Sequence, residues 1–224
     1  MFLNCNNNTC WISSITNILI YNKLFIIDNC IDEKFNIIIK KYNYICENDI
    51  SNMYIINKEI YDYLFDNNYT KITFGDQGYV DDIINCYTKI FKNIIKTFDC
   101  KYLEENKKKI KLESDCDTLI VSNDKLIMMN SNGYCDIKQL ILNKKKFTFI
   151  NINYISNHIN ENIERILISI LKNKIIVVRS GLKTFGHFYI IINDGDLFYS
   201  INFGRIKKIK FNKRILKNIV YIFR

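Results

Sequence analysis

The sequence predicts an α+β fold, with helices in the first half of the chain and an antiparallel sheet in the second. Three observations predict it. Apolar side chains recur at helical spacing in several stretches before residue 100. From Leu112 onward, short β-branched and aromatic runs alternate with turn residues. Between two of those runs, Asn193-Asp194-Gly195-Asp196 is a strong hairpin signal. Helices followed by strands, without strict alternation, separate this class from a doubly wound α/β fold.

Asn4 to Thr9 reads as a loop. Residues 10 to 22 place Trp11, Ile12, Ile15, Ile18 and Leu19 on one helical stripe, with Thr9 as the expected N-cap. Cys10 then falls in the first turn of a buried helix. Residues 23 to 70 lack a clean period, apart from a helix expected over Asp49 to Phe65 through Ile55, Ile56, Ile60 and Leu64. Phe74 to Gly78 is a turn, and Tyr79 to Phe98 is expected to be one helix. Glu104 to Lys111 is the most linker-like stretch. Strands are then expected over Thr118 to Ser122, Leu126 to Met129 and Phe147 to Ile152, and a helix over Asn160 to Asn173. Five further strands close the chain, over Ile175 to Arg179, Phe185 to Ile192, Leu197 to Ile201, Ile206 to Phe211 and Ile219 to Phe223. The expected organisation is a single domain over residues 1–224, with a helical lobe to about residue 111 and a β-rich lobe beyond it.

Composition excludes several function classes. The chain has 224 residues, 48% of them hydrophobic, which suits a sizeable core and not a disordered chain. No apolar run approaches the roughly 18 residues of a membrane span, and the Asn-rich start lacks a signal-peptide core. A cytoplasmic or nuclear protein with no membrane partner is expected. The eight cysteines are scattered, without a Cys-x-x-Cys pair, which argues against a zinc ribbon and for no metal. In a reducing compartment most are buried small hydrophobes. The net charge is +9, but the basic runs are isolated and not interleaved with aromatics. That argues against a nucleic-acid partner. Heavy use of Ile, Asn, Lys and Tyr, with no Pro at all, matches the coding bias of an AT-rich genome.

The residues that carry chemistry are a thiol, an imidazole and an amide, in that order. Cys10 at a helix start meets unpaired N–H groups, which lower a thiol pKa, and a neighbouring imidazolium lowers it further. His187 begins a strand-like run, and the following hairpin returns Asn202 close to it. Asn202 would orient the ring, with Asp194 and Asp196 as lower-ranked rivals in the turn. The backbone N–H of Cys10 and the side chain of Asn4 or Asn6 are the candidate oxyanion donors. His158, the only other histidine, precedes a helix in a polar stretch and is expected to be exposed and inert. Singly, each residue has an ordinary structural explanation. Their order, on a helix start and a terminal hairpin, is what points to a cysteine hydrolase.

These residues resemble the papain-like cysteine peptidase superfamily. Cys10-Trp11 matches its helix-borne nucleophile, Gly186-His187 its base, and Ile201-Asn202-Phe203-Gly204 its orienting residue, fifteen residues after His187. Within it, the nearest likeness is to ubiquitin-specific proteases. Asn8-Thr9-Cys10-Trp11 is similar to their Cys box, and Gly186-His187-Phe188 to their His box. Asp76 to Asp82 loosely resembles the Gln-Asp-Ala-x-Glu-Phe stretch those enzymes carry at the head of a helix.

There are departures. Cys5 stands where that family has its oxyanion Asn, Asn202 replaces the more frequent Asp, and zinc fingers are lacking. The resemblance implies a papain-like fold, with a catalytic helix packed on a C-terminal antiparallel sheet. It also implies a Cys10-His187-Asn202 triad that works through a thioester without a cofactor. Trp11, Gly186 and Phe188 would line the substrate cleft, bordered by Gly181 to Thr184. Ubiquitin, a ubiquitin-like protein or another protein would be the substrate, with Glu47, Asp49, Asp76, Asp81 and Asp82 as an acidic patch for a basic tail. With Cys10 so near Met1, no inhibitory propeptide is expected, which fits an intracellular enzyme. The alternatives are another thiol hydrolase or amidase not acting on ubiquitin, or an inactive binding module with a basic surface.

Overall fold

A computed structural model describes residues 1–4, 7–48, 52–91, 94–103, 117–122, 125–130, 133–136, 147–152, 161–181 and 186–223. The architecture is mixed α+β. Four helices come first: α1 (Cys10–Tyr21), α2 (Glu33–Asn48), α3 (Tyr54–Asp66) and α4 (Val80–Ile90). The strands are β1 (Lys96–Leu103), β2 (Asp117–Ser122), β3 (Lys125–Asn130), β4 (Gly133–Asp136), β5 (Thr148–Asn151), β6 (Ile175–Gly181), β7 (Gly186–Asp194), β8 (Leu197–Asn202), β9 (Arg205–Ile209) and β10 (Ile219–Phe223). Helix α5 (Glu161–Ile170) precedes β6, and the short α6 (Lys213–Leu216) precedes β10. Among the described residues, no helix is long and apolar enough to cross a membrane.

The strands run in the order β4-β3-β2-β1-β5-β10-β6-β7-β8-β9. β1 is the joint: its first half, Lys96 to Asp99, pairs with β5, and its second half, Cys100 to Leu103, pairs with β2. Both of those pairings are parallel, so the expected all-antiparallel sheet is in fact mixed. β10 sits in the middle, and Ile219 to Phe223 are buried without interruption, as a strand covered on both faces requires.

Two clusters cover the two faces. Helices α1 to α4 pack on one, against Phe149, Val177, Phe188, Ile190, Ile192 and Tyr221. Leu167 of α5 and Leu216 of α6 lie on the other, with Ile150, Ile176, Val178, Ile191 and Ile222. The strand residues divide by parity, which is the two-residue pleat at work. The sheet therefore has helices packed on both faces.

Two sequence expectations need correction. The helix expected over Tyr79 to Phe98 ends at Ile90, and residues from Lys96 form β1. Phe91 remains fully buried against Phe25, Phe35 and Tyr87, so its place on the apolar stripe is real. Pairing with β5 then claims the chain, and that partner lies about fifty residues away. Helix α2 was missed. Its stripe of Phe35, Ile38, Ile39, Tyr42 and Ile45 has helical spacing, but exposed Ile37 and Tyr44 blur it. Asp32 caps this helix by accepting the Phe35 N–H at 2.8 Å. The charged stretch 104 to 111 and His158 lie outside the described residues.

One buried hydrogen bond locks α1 to α4. Tyr87 Oη donates to Thr16 Oγ1 at 2.6 Å, and Thr16 Oγ1 donates to the Ile12 carbonyl at 2.9 Å. Burial pushes the Tyr87 hydroxyl well above the usual tyrosine range. The pair is asymmetric. Tyr87→Phe leaves Thr16 with its backbone acceptor and should cost about 1 kcal/mol. Thr16→Val strands the phenol in the core and should cost about 1–3 kcal/mol. Urea denaturation of the two variants reads this order, and equal midpoints would refute it.

Candidate functional site

Helix α1 begins at Cys10. Asn7 and Asn8 precede it with φ of 50° and 57°, a left-handed kink that turns the chain into the helix. Thr9 caps the helix through its carbonyl, which accepts the N–H groups of Ile12 and Ser13. The Cys10 side chain therefore projects from the helix tip.

It meets the start of β7. The β7–β8 ladder runs from Asp194/Leu197 back to Ile190/Ile201 and stops there. The first residues of β7 continue to pair with β6 alone, through Gly181/Gly186. The α1 tip reaches the opened end of the hairpin, and Phe188 N–H donates to Cys10 Sγ at 3.4 Å. His187 is the adjacent residue. The amino-terminal helix and the carboxy-terminal hairpin thus meet, as the residue order requires for a shared site.

At the same end of the hairpin, His187 Nε2 lies 2.6 Å from Asn202 Oδ1. An amide oxygen facing Nε2 favours the tautomer with its proton on Nε2, which leaves the Nδ1 lone pair free in the neutral ring. Phe203 stacks on the ring with centroids 4.9 Å apart and planes 12° from parallel, and Tyr189 lies at 6.2 Å and 16°. Phe203 stands at φ 50° and is half exposed, so it covers the His187–Asn202 pair from the solvent side. Asp194 lies at the far end of β7, seven residues along the strand, which is roughly 20 Å at the usual rise. Asp196 follows it in the turn. Neither rival reaches the ring, and Asn202 does.

The thiol itself differs from expectation. Burial pushes it up, and the backbone N–H groups of Phe188, Trp11 and Cys10 pull it partly down, with burial the larger effect. Burial therefore favours the neutral thiol over the thiolate. Among the described residues no direct thiol–imidazole hydrogen bond is made. By the strand pleat, His187 shares a face with Tyr189, and Phe188 shares the face of α1.

Of the residues expected to line a cleft, two are core. Trp11 is 1% exposed and lies against Gly78, and Phe188 is 5% exposed among the α1 contacts. One residue past Cys10 on a helix is about 100° around the axis, so Trp11 turns inward when Cys10 faces the strand. Gly186 is half-buried, and a Cβ on it would meet Arg179 Nε at 2.3 Å, so a larger residue there requires the Arg179 side chain to move.

Asn4 lies on a strap fixed by buried side chains. Asn17 grips Leu3 through both N–H and carbonyl at 2.7 and 3.1 Å, and Asn57 donates to the Asn4 carbonyl. The strap passes the turn that follows Asn202, where a Cβ on Gly204 would be 3.5 Å from Asn4 Cβ. The Asn4 side-chain oxygen is buried without a hydrogen-bond partner among the described residues. Asn6, the other oxyanion candidate, lies outside the described residues, as do Asp49 and residues 182–185. In the expected acidic patch, Asp81 accepts a hydrogen bond from Tyr221 Oη, and burial raises the carboxyl of half-buried Asp82. Asp76 and Glu47 are exposed.

Sequence reasoning missed one residue in particular. Gln77 Oε1 accepts the Gly186 N–H at 2.9 Å, immediately before His187. In the sequence it stands within the Asp76 to Asp82 stretch, and no local pattern marks it out. Among the described residues, no three His, Cys, Asp or Glu side chains converge as a metal site would need. Comparison with protein-family models, with curated proteins and with solved structures finds no match to the chain.

Proposed function

We propose that the chain is a cysteine hydrolase that cleaves a peptide or isopeptide bond, with Cys10 as nucleophile, His187 as base and acid, and Asn202 as the group that orients His187. The single observation that carries this reading is the convergence at the split end of β7 and β8. There the Cys10 sulfur accepts a hydrogen bond from the residue beside His187, while His187 is held by Asn202 at 2.6 Å.

The chemistry follows from those atoms. His187 Nδ1 takes the Cys10 proton as sulfur attacks the substrate carbonyl. Because burial favours the neutral thiol, the proposed base has to take its proton for the sulfur to attack. The carbonyl oxygen becomes an oxyanion, and the Cys10 N–H at the helix tip is the first donor to it. Asn4 or Asn6 would supply a second. The tetrahedral species collapses, the C–N bond breaks, and the imidazolium gives its proton to the leaving amine. Water, deprotonated by His187, then attacks the thioester and releases the acid and the thiol. The Asn202 oxygen holds Nε2–H through both half-reactions, which keeps Nδ1 as the working nitrogen. No step requires a cofactor.

The proposed substrate is ubiquitin or a ubiquitin-like protein, cleaved after its C-terminal glycine. The likeness of Asn8-Thr9-Cys10-Trp11 and Gly186-His187-Phe188 to the ubiquitin-specific boxes supports this. Exposed Asp76, on the turn that touches both segments, can meet a basic tail.

The test uses ubiquitin carrying a C-terminal vinyl sulfone. The expected result is a single covalent adduct, mapped to Cys10 and lost in Cys10→Ala. No adduct on the native protein, or one that survives Cys10→Ala, would overturn the reading.

A further inference from the structure

A single turn, Gly75 to Gly78, touches both halves of the proposed site. At the nucleophile's end, Asn8 Nδ2 donates to the Gly75 carbonyl at 2.6 Å, two residues before Cys10. Gly78 lies so close to the Trp11 indole that a Cβ there would fall 2.2 Å from Cε2. At the base's end, Gln77 Oε1 accepts the Gly186 N–H, one residue before His187. The turn in turn opens α4, whose Tyr87 is bonded to Thr16 of α1. Gln77 is thus the one side chain of this turn with a hydrogen bond to the strand that carries the imidazole.

We infer that Gln77 is a positioning residue, which sets the gap between Cys10 and His187 by holding the start of β7 to the turn that also braces α1. The inference rests on the reading of Cys10 and His187 as nucleophile and base. Its physical basis is local. From Gly186 to Tyr189, β7 has no ladder partner in β8 and pairs with β6 alone, while Phe188 N–H donates to Cys10 Sγ and the His187 ring bonds Asn202. Gly186 has no side chain to anchor it, because the Arg179 guanidinium fills that space. The Gln77 acceptor adds to these a tie from the turn to the Gly186 backbone, one residue before His187. A displacement of about 1 Å between reacting groups costs on the order of 100-fold in rate. A hydrogen bond of this kind is therefore worth far more to the reaction than to folding.

Alkylation of Cys10 by iodoacetamide, followed by peptide mass across about pH 5 to 9, tests this without a protein substrate. Burial pushes the Tyr189 hydroxyl, which shares a face with His187, up and out of that window. The wild-type profile should show an inflection that belongs to the Cys10–His187 pair and is absent from His187→Ala. Gln77→Met keeps the volume but lacks the acceptor. It should lower the rate near neutral pH by about tenfold or more and shift the profile toward that of His187→Ala. Gln77→Glu retains an acceptor and should restore a profile close to wild type.

If wild type and His187→Ala coincide, the pairing of Cys10 with His187 is wrong and the inference falls with it. If those two differ but Gln77→Met matches wild type, the inference alone is wrong. Should Gln77→Met fail to fold, Asn8→Gly cuts the other tie of the same turn while tolerating the positive φ. It must show the same loss, and a wild-type profile there overturns the inference.

Discussion

His187→Ala is expected to lower kcat by about 10²–10⁴ on ubiquitin–aminocoumarin, the range for loss of a positioned acid–base group. The fold should be unaffected, because the ring is half-buried at a strand start, beside Phe203, Tyr189 and Asn202, and not in the core. Asn202→Ala should lose less, since the imidazole remains but is free to present either nitrogen. The sharper expectation concerns the pair. In the proposed mechanism Asn202 acts only through its 2.6 Å contact with Nε2. The double variant should therefore be no slower than His187→Ala alone. Additive losses would mean that Asn202 has a separate role, and a His187→Ala enzyme with wild-type kcat would remove the imidazole from the mechanism.

Gly78→Ala is expected to be the most damaging small change outside the catalytic groups. Its Cβ would fall 2.2, 2.5 and 2.6 Å from three atoms of the Trp11 ring. The indole is 1% exposed and cannot swing away, so the turn must move instead. Overpacking of this kind costs about 1–3 kcal/mol. At this chain length that is a fall of roughly 3–10 °C in Tm. Trp11 is the only tryptophan, so its emission reports the site directly. The wild type should emit as a buried indole and the variant should shift to the red. Because the same turn carries Gln77, the iodoacetamide profile of Cys10 should change with it. A variant with unaltered Tm and emission would show that the turn has slack, and would weaken the case for a brace.

Local pattern was enough to read much of this molecule. The helix at residues 10 to 22 was legible because its stripe is uninterrupted, and every residue from Cys10 to Leu19 is buried. The hairpin was legible because Asp194-Gly195 demands a turn and isoleucines flank it; Gly195 stands at φ 68°. Those two elements carried the candidate residues, so Cys10, His187 and Asn202 could be named from the letters alone. What misled was information held by distant partners. The stretch from Lys96 has helix-compatible residues and becomes a strand only because β5 lies beside it. The helix start at Cys10 points to an acidified thiol, but burial, a property of the whole fold, outweighs the helix tip.

The sequence by itself determined which elements exist near the site and which side chains they present, because helical and strand periods are set by local backbone geometry. Only the tertiary structure decided that α1 meets β7 where β8 has let go, that Asn202 and not an aspartate reaches His187, and that Trp11 is core. It alone revealed Gln77, since a hydrogen bond between residues more than a hundred positions apart leaves no periodic trace. The physical reason is the same in each case. Local preferences act over a few residues, whereas a site is made by contacts whose cost in chain entropy is met only when the whole core closes.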